Sequence, residues 1–93
     1  MIAWEEESLN DREKIFEYLY QFNPIAAEKT DHLIVAKVET LIAQPLMGVE
    51  RVGIRGRLLI IPDVSLMVVY FFDGSTIHIL RVLHQKQQYP HTN

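Results

Sequence analysis

Two apolar runs flanking Asp73-Gly74 constrain this chain more than any other feature. Residues 66–72 read Leu-Met-Val-Val-Tyr-Phe-Phe and residues 77–83 read Ile-His-Ile-Leu-Arg-Val-Leu. Both are rich in the β-branched and aromatic side chains that favour strands. Asp-Gly between such runs signals a type I′ hairpin, whose two central residues both need positive φ. A two-residue loop at Asp73-Gly74 sets Phe72 opposite Ser75, Tyr70 opposite Ile77, Val68 opposite Ile79 and Leu66 opposite Arg81. One hairpin face then carries Leu66, Val68, Tyr70, Ile77, Ile79 and Arg81. The other carries Met67, Val69, Phe71, Thr76, His78 and Leu80. Both are largely apolar, so both need cover.

The first half of the chain follows a helical period instead. Asn10 followed by Glu13 has the form of a capping box and predicts a helix start. Ile15, Leu19 and Phe22 then share one helical face. Asn23-Pro24 ends that helix and opens a second, since asparagine caps well and proline at the first helical position loses no hydrogen bond. Ile34, Val38, Leu41 and Ile42 line one face of the second helix, which stops before Pro45. Residues 45–56 form a loop punctuated by Pro45, Gly48, Gly53 and Gly56. Arg57 to Ile61 is a strand broken by Pro62-Asp63, and Met1 to Trp4 is a short strand. The expected class is α+β, with an N-terminal helix hairpin packed on a small twisted antiparallel β-sheet. Residues 1–93 form a single domain, with 91–93 as a disordered tail. The helices cover one sheet face; a partner protein is a candidate cover for the other, and the N-terminal strand, the long loop and the C-terminal tail are the alternative cover. Trp4, Tyr18, Tyr20 and Phe22 read as core or interface aromatics.

Composition bounds the function. Hydrophobic residues are 48% and charged residues 23% of the 93, a globular mix that supports one limited core. There is no cysteine, so disulfides and thiolate metal sites are excluded. The start of the chain lacks the basic and apolar segments of a signal peptide. The longest apolar run, Leu66 to Phe72, is too short to span a bilayer. A cytoplasmic protein without membrane contact is expected. The net charge of −3 is unevenly shared. Residues 1–50 hold ten acids and four bases, whereas residues 51–93 hold two acids and five bases. Four of those five bases are arginines, the side chain suited to phosphate forks and stacking. Only the C-terminal half is therefore suited to nucleic acid.

The run Ile79-Leu80-Arg81-Val82-Leu83-His84, the tail Gln88-Tyr89-Pro90, Gly56 to Pro62 and Val68-Val69-Tyr70 together resemble the C-terminal core of RelE/ParE-family toxins of bacterial type II toxin–antitoxin systems. The order of elements matches as well, and the resemblance extends from Trp4 to Pro90. It implies a cognate antitoxin whose C-terminal segment wraps around the toxin. It also implies one of two targets. RelE-like members cut mRNA on the ribosome; ParE-like members poison DNA gyrase without catalysis.

Cutting RNA without a metal or cofactor needs a base for the 2′-hydroxyl, cations for the phosphate and an acid for the leaving oxygen. The residues assigned to that chemistry are His84, as the side-chain type suited to general acid or base work at physiological pH, with Arg81 and Arg57 on the phosphate and Tyr89 as a stacking or proton-donating group. Arg51, Arg55 and Lys86 are assigned to RNA backbone. Structural alternatives stand beside each assignment. His84 and His32 can be surface histidines, His78 can be structural, Arg81 can pair with a helical acid such as Glu13 or Glu17, and Arg55 and Arg57 can be solvated. The four histidines show no metal-ligand spacing. Two departures from the RNA-cleaving pattern favour the gyrase alternative. Met67 occupies a position that is usually arginine in the nucleases, and Leu58 to Ile61 replaces a lysine-rich strand. A module that has lost its toxicity is the third possibility.

Overall fold

The structure, a computed structural model, describes residues 1–86. The elements are β1 (Ile2–Trp4), α1 (Glu6–Tyr20), α2 (Pro24–Glu39), β2 (Val49–Glu50), β3 (Arg57–Ile61), β4 (Leu66–Phe72) and β5 (Ile77–His84), with 3₁₀ turns at Thr40–Ile42 and Pro62–Val64. The strand order is β1-β5-β4-β3-β2. The expected α+β arrangement of a helix pair on a small sheet holds. The sheet is mixed rather than wholly antiparallel, because β1 runs parallel to β5, with Ile2 beside Ile77 and Trp4 beside Ile79. No helix of the described residues is long and apolar enough to cross a membrane.

The start of α1 departs from the sequence reading. The Glu5 amide closes β1 onto β5 by donating to the Ile79 carbonyl at 3.0 Å. The Glu5 carbonyl then accepts from Ser8 and Leu9, so the helix begins at Glu6 and Asn10 lies inside it. Glu6 and Glu7 sit in the first turn, where carboxylates complement the helix dipole. The pairing of β1 thus outweighs the capping-box pattern four residues downstream. The break at residue 23 is as expected: the Asn23 side chain accepts from the Ala26 amide at 3.2 Å, and Pro24 opens α2.

The main core lies between α2 and the sheet. Ile34, Val38 and Leu41 interlock with Leu59, Ile61, Leu66, Val68, Tyr70, Ile77, Ile79 and Val82, and Trp4 and Ile15 pack at its margin. Only Ser8 of α1 is fully buried. Phe22 and Ile42, expected on buried faces, are 72% and 60% exposed. Each lies where its helix gives way to a turn and leaves the sheet. Tyr18 and Tyr20 are also exposed. A second, smaller cluster occupies the face away from the helices, where Leu58, Met67, Val69 and Leu83 are buried and Ile54 and Leu80 pack against them.

The hairpin register also differs. Phe72 pairs with Ile77, Tyr70 with Ile79, Val69 with Arg81 and Leu66 with His84. The turn is centred on Gly74-Ser75: the Asp73 amide donates to Thr76, and the Asp73 Oδ1 accepts from the Ser75 and Thr76 amides at 2.9 and 2.7 Å. Gly74 has φ of 103° and Ser75 is not in the positive-φ region, the pattern of a type II′ turn with glycine first. The Asp73 side chain satisfies the turn amides and so moves the loop one residue on. The register then shifts between Val69 and Tyr70, leaving Leu80 as an extra residue in β5. Such a bulge inverts the alternation beyond it. Val82 therefore joins the main core, and Arg81 does not.

Candidate functional site

Two surfaces collect the polar residues singled out by sequence. The first is a groove of about 640 Å³ between α1, Thr30 of α2 and the last turn of β5. Ile15, Leu19, Val64, Leu66 and Val82 give it an apolar lining, and Lys14, Arg81 and His84 stand among the polar residues along it. It exists because β1 covers only residues 77–79 of the β5 edge, after which the chain turns away into α1. The exposed edge is held by Asp11. Its carboxylate accepts from the Val82 amide at 2.9 Å and from Arg81 Nε and Nη2 at 2.8 and 3.1 Å. A side chain thereby satisfies a strand N–H that β1 leaves without a neighbour. Glu7 approaches the same guanidinium at 3.9 Å.

His84 ends β5 at the mouth of this groove, exposed, with its Nδ1 accepting from the Lys86 amide at 3.3 Å. Lys86 is exposed just beyond. The strand end is fixed by Gln85, whose amide donates to Ser65 at 2.9 Å.

The second surface is the segment 45–57 at the opposite edge of the sheet. Tyr70, fully buried, accepts from the Gly48 amide and donates to the Pro45 carbonyl, both at 2.8 Å. Burial pushes its hydroxyl pKa up, against the opposing effects of the Gly48 amide and the Arg57 charge. Arg57 donates to the Gly48 carbonyl at 2.8 Å and pairs with Glu50 at 3.0 Å. Arg55 lies over the Phe71 ring, 4.6 Å from its centroid, and Arg51 is exposed.

Arg81 and His84 are thus brought to one groove, and Arg51, Arg55 and Arg57 to another region. Arg57 pairs across β3–β4 with Tyr70, whereas His84 pairs with Leu66, which also faces Ile61. Four residues of strand and two strand spacings put their Cα atoms about 16 Å apart. Tyr89 and the 91–93 tail lie outside the described residues. Among the described residues no group of three or more His, Asp or Glu is disposed to hold a metal ion. His78 bridges Asp73 and Glu5, with Nε2 2.9 Å from one carboxylate and Nδ1 3.3 Å from the other. These two carboxylates, Asp73 foremost, raise its pKa above 6.5.

Sequence reasoning missed Asp11, which lies among six acids in the first 17 residues and carries no local signal. It also read Tyr70 simply as a core face residue, although its hydroxyl organises the loop.

Comparison with known proteins gives two matches. A family model described as the ParE toxin of type II toxin–antitoxin systems, parDE, matches residues 2–89. A solved structure described as the chromosomal ParDE TA system from P. aeruginosa superposes with a TM-score of 0.78 at 23% identity, covering 89% of this chain and 92% of that one. At that identity the likeness is one of fold. No curated protein matches.

Proposed function

Because the chain belongs to the ParE toxin family of type II toxin–antitoxin systems, we propose that it arrests growth by binding and poisoning DNA gyrase, with no catalysis of its own. A cognate antitoxin neutralises it. The observation that carries the gyrase reading is the engagement of the two arginines a nuclease would aim at the scissile phosphate. Arg57 is held by the Gly48 carbonyl and Glu50, and Arg81 by the Asp11 carboxylate. Freeing either for a phosphate would first break the bonds that hold it: for Arg81 those to the largely buried Asp11, for Arg57 that to the Gly48 carbonyl, each worth about 1 kcal/mol net, while the exposed Arg57–Glu50 pair adds little. The apolar groove along β5 suits the antitoxin, since a flexible segment with regularly spaced apolar anchors can fill it.

One observation favours a second reading. Arg81 and His84 line the same groove, which is the start of an acid–phosphate arrangement. In that reading the protein is a ribosome-dependent mRNA endonuclease with His84, Arg81, Arg57 and Tyr89 in catalysis and Arg51, Arg55 and Lys86 along the RNA.

Two assays separate them. Purified protein is added to gyrase supercoiling a relaxed plasmid, and to a translation reaction whose mRNA 5′ ends are mapped. Blocked supercoiling with intact mRNA is the expected result. New 5′ ends that appear only during translation, with supercoiling unaffected, would overturn the gyrase reading in favour of the nuclease.

A further inference from the structure

The β2–β3 loop combines an unusual exposure of aliphatic side chains with a rigid base. Val52 at its tip is 101% exposed, Val49 is 62% and Ile60 is 41% exposed. Val49 pairs with Leu58, and Ile60 with Met67. Cross-strand partners project to one side, so Val49 and Ile60 share the sheet face that bears the second apolar cluster. They extend that cluster into solvent at the outer edge of the sheet, beside a two-residue edge strand.

The base of the loop is fixed at both ends by one residue. Gly48 donates to the Tyr70 hydroxyl. Gly56, at φ of 115°, lies so close that an added Cβ would fall 2.3 Å from the Tyr70 carbonyl oxygen. Arg57 adds its bond to Gly48. These contacts fix where the loop leaves and rejoins the sheet, and so set which side of the sheet edge its tip stands on.

Charge indicates what it meets. Glu50 is paired with Arg57, which leaves Arg51 and Arg55 as the remaining charges of residues 50–56. At the opposite edge of the sheet, Glu5 and the acids of α1 give the reverse sign. An acidic surface is attracted by one edge and repelled by the other, which orients the encounter. Exposed aliphatic side chains at the sheet edge and the loop tip gain nothing against a phosphate backbone, so the complement is a protein surface, apolar and rimmed with carboxylates.

We propose that Val49, Val52 and Ile60, framed by Arg51 and Arg55, form the docking surface for the toxin's target protein. This builds on the gyrase reading but does not share its fate. The test uses the full-length toxin carrying Val52→Asp, and separately Arg51→Glu with Arg55→Glu, in growth arrest and in gyrase supercoiling. Thermal unfolding serves as the folding control. Both variants should fold, because Val52 is fully exposed, both arginines are exposed, and Arg55 gives up only its contact over the Phe71 ring. Both should need at least about tenfold more protein to inhibit, as expected for loss of an interface anchor. If growth arrest depends on the loop while gyrase is untouched by wild type, the surface stands and gyrase is the wrong target. Folded variants that retain full growth arrest overturn the surface. So do variants that lose only rescue by the antitoxin, only self-association in size-exclusion chromatography, or only binding to plasmid DNA, since each assigns the loop to another occupant.

Discussion

Tyr70 and Gly48 are joined by a 2.8 Å hydrogen bond from the glycine amide to the buried phenol oxygen, across 22 residues of sequence. The same hydroxyl donates to Pro45, so one side chain of β4 determines where the chain lies before β2. Gly48 must be glycine for reasons of space: a Cβ there would stand 2.6 Å from a Tyr70 ring carbon. Tyr70→Phe should cost about 1–3 kcal/mol in chemical denaturation, since it strands the Gly48 N–H and the Pro45 carbonyl. Gly48→Ala should cost about 1–3 kcal/mol by overpacking. The two losses should not add, because both variants disturb one contact. A Tyr70→Phe variant as stable as wild type would show that the loop is held by other means.

Asp11 joins α1 to the edge of β5 through three hydrogen bonds. Asp11→Ala should lower stability by about 2–3 kcal/mol, because the Val82 amide and the Arg81 guanidinium lose their shared acceptor. Amide hydrogen exchange at Val82 should accelerate more than at Val68 in the centre of the core. Equal acceleration at both would mean that Asp11 acts on global stability alone.

His78 makes stability depend on pH. Its pairing with Asp73 and then Glu5 raises its pKa above the ordinary 6.5. The folded protein therefore holds that proton to higher pH than the unfolded chain does. The stabilisation is complete below pH 6.5 and fades as pH rises through the folded value. Asp73 has the opposite sense. The Thr76 amide, followed by His78, holds its carboxyl well below 3.8, and its contribution is lost only on acidification below that value. The advantage in melting temperature of wild type over His78→Gln should be full below pH 6.5 and shrink as pH rises from there into the alkaline range. A constant difference across that range would show that the proton on His78 is not what stabilises the turn.

His84 separates the two readings of function. If gyrase is the target, His84→Ala should leave growth arrest within about twofold of wild type, as for an exposed residue away from an anchor. As a catalytic acid or base, its removal should lower RNA cleavage by roughly 10²–10⁴. Arrest by His84→Ala, measured at matched protein levels, decides between them.

Features that depend on neighbouring residues were legible in the sequence. Asn23-Pro24 determined the helix break because both signals act within one turn. The strand character of residues 57–61 and 66–72, and of a last strand read as 75–83 and found at Ile77–His84, followed from β-branched and aromatic runs whatever they packed against. The two apolar hairpin faces correctly required cover on both sides. The tertiary structure decided what depends on distant partners. Glu5 pairing with Ile79 moved the start of α1, and the Asp73 side chain with the Leu80 bulge reset the register. Asp11 reached Arg81 across 70 residues, and Arg57 turned to Gly48 and Glu50 instead of toward His84. Local propensities are worth tenths of a kcal/mol per residue, whereas an unpaired buried backbone group or charge costs several times more. Where the two compete, the long-range partner prevails, and it is not visible to a reading that proceeds along the chain.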